Sequence, residues 1–278
     1  MSHLPVRDGS IFVHTIGQGT PLLLMHGGPG LDYTTLLQLG PLADQFCLVF
    51  YDHRCNGRST GAKVTTMTWE NLTADAEALR QNLGFEQWAV LGHSFGGNVA
   101  LEYALRYPQS ISRLILMDTG GDQWWVEHHA PELLAKRGYN ASAVQAARRF
   151  YSGQFTPGEF FSIFRKFMNA YNYNNSLQSQ LKGITHGFRL KPRPEALIFG
   201  YNQLLKGWTV MDRLGEIKIP ALVVAGRYDF LFPPEHQAIL ADRLPDARLE
   251  IIERAGHNPQ MEQPAVTIDL VRRFLTPL

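Results

Sequence analysis

No charge of one sign dominates this chain. Lys and Arg number 26 against 25 Asp and Glu, a net charge of +1 with histidine neutral. Proteins that grip nucleic acid or anionic membranes usually carry a basic excess or a basic run. Neither occurs here, so no nucleic-acid partner and no membrane partner is expected. Cysteine is scarce: Cys47 and Cys55 are the only two. Two cysteines imply no disulfide framework, and without a C-x-x-C or Cys/His cluster no metal site is expected. Long apolar runs are missing too, and none nears the roughly 20 residues that a membrane helix needs. Met1-Ser2-His3-Leu4-Pro5 lacks the charged start and apolar core of a secretory signal, so a cytoplasmic location is expected.

What the chain does have is apolar residues in short blocks. Its 278 residues, 45% of them hydrophobic, suffice for one α/β domain with an insertion. Ile11–Ile16, Pro21–Met25, Phe46–Tyr51, Trp88–Leu91, Leu114–Met117, Ala221–Ala225 and Leu249–Ile252 read as strands. Several are apolar at consecutive positions, as strands covered on both faces must be. Between the third and fourth, Leu72, Ala76, Leu79 and Leu83 recur at helical spacing until Gly84. Another helix carries Val99, Leu101, Ala104 and Leu105 and is closed by Pro108. A final amphipathic helix carries Val266, Leu270, Phe274 and Leu275. The pattern predicts an α/β fold with a mostly parallel sheet and helices on both faces. Residues 122–210 carry many aromatics and no convincing strand, and read as a helical cap. The expected core is then 1–121 with 211–278.

Gly92-His93-Ser94-Phe95-Gly96 fits G-x-S-x-G and lies between a predicted strand and a predicted helix. That turn is so tight that its flanking positions must be small, and it lifts Ser94 beside a helix N-terminus. Gly97 lets the helix pack closely on the sheet. A serine hydroxyl is a weak nucleophile and needs a base. His257, last of ten histidines, follows the last predicted strand. His236, in Pro233-Pro234-Glu235-His236, reads instead as the start of a surface helix. His26 and His93 lie beside glycines in turns with other work. Asp229 follows the Ala221–Ala225 strand and suits the acid that orients the base. Asp118 also follows a strand and is the alternative acid. The order Ser94, Asp229, His257 matches a nucleophile-elbow enzyme. His26-Gly27-Gly28-Pro29-Gly30 brings bare backbone towards a substrate carbonyl. The N–H groups of Gly28 and Phe95 are the expected oxyanion hole.

Together these residues resemble the α/β-hydrolase superfamily over nearly the whole chain. His26–Gly30 followed by Asp52-His53-Arg54 and Arg58-Ser59 is similar to the proline iminopeptidase group. That resemblance implies an α/β-hydrolase fold, a helical cap and release of N-terminal proline. The group usually places acidic cap residues around the substrate amine, one directly after the triad acid. Here that position is Phe230, and Ile198–Asn202 holds no acid. Cys55 and Asn56 also replace the glycine-containing pattern usual after Asp-x-Arg. Glu127, Glu132, Glu159 and Glu195 remain in the cap. A buried ammonium without an anion is costly. Related dehalogenases and epoxide hydrolases usually carry Asp where Ser94 stands.

The reading that follows is a cofactor-free serine hydrolase acting on a small-molecule ester or lactone through an acyl-enzyme. The substrate is expected to be apolar or acyl, with Phe230 and Trp124 lining its pocket. A proline iminopeptidase-like aminopeptidase or amidase is the alternative. A ligand-binding receptor on a hydrolase fold is a third reading, from another class.

Overall fold

The computed structural model describes residues 1–174 and 190–276. The part of the expected cap from 175 to 189 lies outside the described residues. Eight strands form one sheet: β1 (Ser2–Val6), β2 (Gly9–Ile16), β3 (Thr20–Met25), β4 (Phe46–Tyr51), β5 (Trp88–His93), β6 (Ile111–Met117), β7 (Ala221–Gly226) and β8 (Ala247–Ile252). Their order is β1-β2-β4-β3-β5-β6-β7-β8. The pairs β1/β2 and β2/β4 are antiparallel, and all the others are parallel.

Side chains alternate across the sheet, so each strand feeds two cores. Leu23, Met25, Val90 and Val223 face one side. There they meet α1 (Trp69–Asn82) through Leu72, Ala76 and Leu79, and α2 (Phe95–Arg106) through Val99 and Leu101. Leu22, Leu24, Leu91 and Val224 face the other side. They pack on the 3-10 run Tyr33–Asp44 and on the Pro264–Leu275 helix. Burying a leucine fully is worth about 1.5–3 kcal/mol, so the strand interiors anchor both layers. Val266 breaks the face expected for the last helix: it is 48% exposed, while Leu270, Phe274 and Leu275 are buried.

Between β6 and β7 the described residues hold no strand. Helices α3 (Trp124–Lys136), α4 (Ala141–Tyr151) and α5 (Phe160–Phe164) come first, and Pro194–Phe199 follows with a π-turn over Gly200–Leu204. The insertion leaves and returns at one place. Gln123 N–H donates to Trp208 O at 3.0 Å and Val210 N–H to Gly121 O at 2.7 Å. Its aromatics form a separate core with Phe230, Leu231 and Phe232 from the segment after β7.

The turn from β5 into α2 is possible only with glycine around it. A Cβ on Gly96 would strike the backbone of Met25 and His26, and one on Gly92 would strike Gly96 and Gly97. A Cβ on Gly97 would run into the Thr119 side chain. Alanine normally gains about 1 kcal/mol over glycine inside a helix. The collision outweighs that gain, so Gly97→Ala should lower stability by about 1–3 kcal/mol. A urea denaturation midpoint above that of the parent would contradict it.

Candidate active site

Ser94 closes β5 with φ of 53° and ψ of −123°, a positive-φ conformation unusual for a residue with a side chain. Four ties hold it there, the longest from Asn98 N–H to the Ser94 carbonyl at 3.3 Å. Its N–H donates to Met117 O at 3.0 Å, and its carbonyl accepts Gly97 N–H at 2.8 Å and Thr119 Oγ1 at 2.7 Å. The side chain projects towards His257, whose Nε2 lies 2.9 Å from Ser94 Oγ. His257 Nδ1 lies 2.8 Å from Asp229 Oδ2. Asp229 Oδ1 accepts the Leu231 N–H at 2.8 Å. An ionised carboxylate only accepts, so Nδ1 carries the imidazole proton and the Nε2 lone pair faces the serine hydroxyl. The structure thus brings Ser94, His257 and Asp229 into one hydrogen-bonded line that runs inward from the half-buried Ser94: His257 is 3% exposed and Asp229 0%.

Asp118, the alternative acid, stands behind Asp229. It is fully buried, and its Oδ1 accepts the Gly226 N–H at 2.8 Å. Burial, then the charge of Asp229, hold its carboxyl well above the usual range. Burial acts the same way on Asp229. There the charge of His257 and hydrogen bonds from His257 and Leu231 outweigh it and hold the carboxyl below the usual range. The two carboxyls are therefore pushed in opposite directions, and the one bonded to His257 is favoured to carry the negative charge.

The glycine loop lies directly on the elbow. A Cβ on Gly27 would stand 2.9 Å from His93 Nδ1 and 3.1 Å from Ser94 Cβ. Gly28 has φ of 59°, a left-handed conformation that favours glycine. Neither Gly28 N–H nor Phe95 N–H donates to a protein group among the described residues. A chain of buried rings carries this loop. Tyr51 OH donates to His53 Nδ1 at 2.9 Å, and His53 Nε2–H donates to His26 O at 3.2 Å. The His53 N–H donates to His26 Nε2 at 3.1 Å, which leaves His26 Nδ1–H to donate to Gly27 O at 2.9 Å. Asn56, at a departure from the family pattern, accepts the Gly30 N–H. Its segment is anchored by Arg54, paired with Asp75 at 2.7 Å and 2.9 Å.

The two expected substrate contacts differ sharply in exposure. Phe230 is 0% exposed, its ring packed on Tyr151 and Tyr171. Phe230 backs Tyr171, whose ring meets His257 edge-on at 5.3 Å. Trp124 is 59% exposed and stacks on His128. His236 is not on the surface: it is 2% exposed, between Trp125 and Phe232. Sequence reasoning missed Tyr171 and Phe232, the rings beside His257, because nothing distinguishes them from the other aromatics nearby. Among the cap acids, Glu159 is bound by Arg149 and Thr156, and Glu132 and Glu195 are exposed. Glu127 is half-buried, and burial raises its carboxyl. Among the described residues, no group of three or more His, Cys, Asp or Glu is arranged to hold a metal ion. No helix there is long and apolar enough to cross a membrane.

His93 does separate work. Its Nε2–H donates to His257 O at 2.8 Å. Burial, with the nearby His257 charge, pushes its pKa down to about 3. In the unfolded chain the ring protonates near 6.5, so the unfolded state binds more protons between those values. His93 therefore costs nothing above pH 6.5 and destabilises progressively below it, by about 2 kcal/mol at pH 5. His93→Asn should remove that share. In urea titrations, the stability of the variant relative to the parent should improve by about that amount from pH 7.5 to pH 5. An unchanged difference would show that His93 titrates normally in the fold.

Comparison with known proteins agrees with this architecture. The family described as alpha/beta hydrolase fold matches residues 20–264. The proline iminopeptidase of Lactobacillus delbrueckii subsp. bulgaricus is 27% identical, covering 98% of this chain and 96% of its own length. The 2-hydroxy-6-oxo-6-phenylhexa-2,4-dienoate hydrolase of Comamonas testosteroni is 27% identical, covering 98% of this chain and 95% of its own. The esterase EaEST from Exiguobacterium antarcticum shares the fold, with a TM-score of 0.77, 20% identity, and coverage of 99% of each chain. By sequence and by architecture, this chain belongs to the alpha/beta hydrolase fold family and is similar to its proline iminopeptidase group.

Proposed function

We propose that this protein is a serine hydrolase that cleaves a small-molecule carboxylic ester or lactone through an acyl-enzyme. The observation that carries the chemistry is the unbroken line from Ser94 Oγ through His257 to Asp229, at 2.9 Å and 2.8 Å. His257 takes the proton of Ser94 as the hydroxyl attacks the carbonyl. The N–H groups of Phe95 and Gly28 stabilise the oxyanion, the first with the help of the α2 N-terminus. His257 then protonates the leaving group and activates the water that releases the acid. Asp229 keeps the imidazole oriented and stabilises its charged form.

The preference for an ester or lactone rests on charge. An ammonium held away from water needs an ionised carboxylate close by. The residue after Asp229 is Phe230, and Glu159 is already neutralised by Arg149. The second reading, an aminopeptidase, is favoured by His26–Gly30 and by the similarity to a proline iminopeptidase. Shared fold does not fix the substrate.

Side-by-side assays with p-nitrophenyl acyl esters, acyl lactones and proline p-nitroanilide separate the two. Ester or lactone turnover should exceed proline release. Fast proline release with poor ester turnover would replace the first reading by the second. Ser94→Ala should lose about 10⁴-fold or more in kcat, keeping only binding and oxyanion effects. Near-parental turnover in that variant would remove the mechanism.

A further inference from the structure

The main chain of His257 is held by the insertion as well as by the core. Its N–H donates to Tyr171 O at 2.7 Å. Tyr171 belongs to the stretch between β6 and β7, far from His257 in sequence. The two backbones touch: a Cβ on Gly256 would stand 2.5 Å from Tyr171 O and 3.0 Å from Tyr173 N. One carboxylate spans this junction. Glu262 ends the short helix Pro259–Glu262 that follows the His257 loop. Its Oε2 accepts the Gly256 N–H at 2.7 Å and the Tyr173 N–H at 3.1 Å. Its Oε1 accepts the Asn174 N–H at 3.0 Å.

We infer that Glu262 is a positioning residue that fastens the His257 loop to the insertion, so that the reach of His257 Nε2 towards Ser94 depends on both. The inference rests on the proposed roles of Ser94 and His257. Its chemical basis is the acceptor capacity of a carboxylate. Two oxygens offer about four lone-pair sites and take three backbone donors from two chain segments. Hydrogen bonds to an ionised acceptor are roughly twice as strong as neutral ones. Alanine accepts nothing, so three N–H groups lose their partner together. Gly256, which lacks a side chain to restrain it, then carries His257 with one fewer tie. The Tyr171 and His93 bonds remain, so the loop loosens rather than leaves.

The test compares Glu262→Ala, Glu262→Gln and Glu262→Asp with the parent. Activity is kcat on a p-nitrophenyl ester per active site, with sites counted by a fluorophosphonate probe. Counting sites removes any loss due to unfolded protein. Small misplacements of a catalytic group cost rate heavily, so Glu262→Ala should lower kcat per site by about 10- to 100-fold while KM moves less than about threefold. Glu262→Gln keeps an acceptor oxygen and should recover most of that loss. Glu262→Asp keeps the charge but is one methylene too short to reach both segments, so kcat should fall by at least about fivefold. Parent-like kcat per site in Glu262→Ala overturns the inference. If the alanine variant does not fold, parent-like kcat in Glu262→Asp does so. A Ser94→Ala control separates this failure from a failure of the mechanism: near-parental turnover there would remove the role of Ser94 itself.

Discussion

Ser94 stands at φ of 53°, a conformation that costs a residue with a Cβ of order 1–3 kcal/mol. The surroundings hold it there. Met117, Gly97 and Thr119 bond its backbone from the next strand, from α2 and from the segment after β6. Gly92, Gly96 and Gly97 remove the side chains that would force the turn open. Because β5 and α2 meet this tightly, the hydroxyl stands at the carboxyl ends of the parallel strands. The loops after β3, β7 and β8 end at the same edge. They bring the glycine loop, Asp229 and His257 to one place, as open parallel sheets do with their sites.

Burial around the elbow then decides the charges. His93 is kept neutral, and His26 and His53 are also pushed towards the neutral form by burial. Asp118 is pushed towards its protonated form beside the ionised Asp229. A site with one favoured negative charge, set behind one imidazole, suits a base that must become cationic in mid-reaction. The neutral histidines serve as scaffolding instead. Tyr51, His53 and His26 pass hydrogen bonds towards the glycine loop, and His93 holds the carbonyl of His257. Donors already fixed in place need no rearrangement as charge develops, which is the main advantage of such a site over water.

Much of this was legible in the sequence because its signals are local. Trp88–Leu91 is apolar at every position and is followed by glycine, so strand and turn declare themselves together. The strand before Asp229 follows the same rule, with Ala221–Ala225 ending at Gly226, while the strand before His257 carries Glu250 and declares itself by alternation instead. Other features depend on what the folded chain brings near. Ser2–Val6 carries Pro5 and little apolar patterning, and it becomes a strand by pairing with β2. His236 sits on a helix start that looks polar, yet Trp125 from the insertion covers it. Phe230 looked like a pocket residue because it follows Asp229, but Tyr151 and Tyr171 enclose it. In each case the deciding partner lies on another element, beyond the reach of spacing or composition.

In the proposed mechanism Ser94 carries the acyl group during turnover. Rapid acid quench of the protein reacting with a p-nitrophenyl butyrate probe, followed by mass spectrometry of its peptides, tests it directly. A butyryl adduct should appear on the peptide containing Ser94 within the first turnover and be absent from Ser94→Ala. Full turnover with no covalent species, or an adduct confined to another residue, would contradict it.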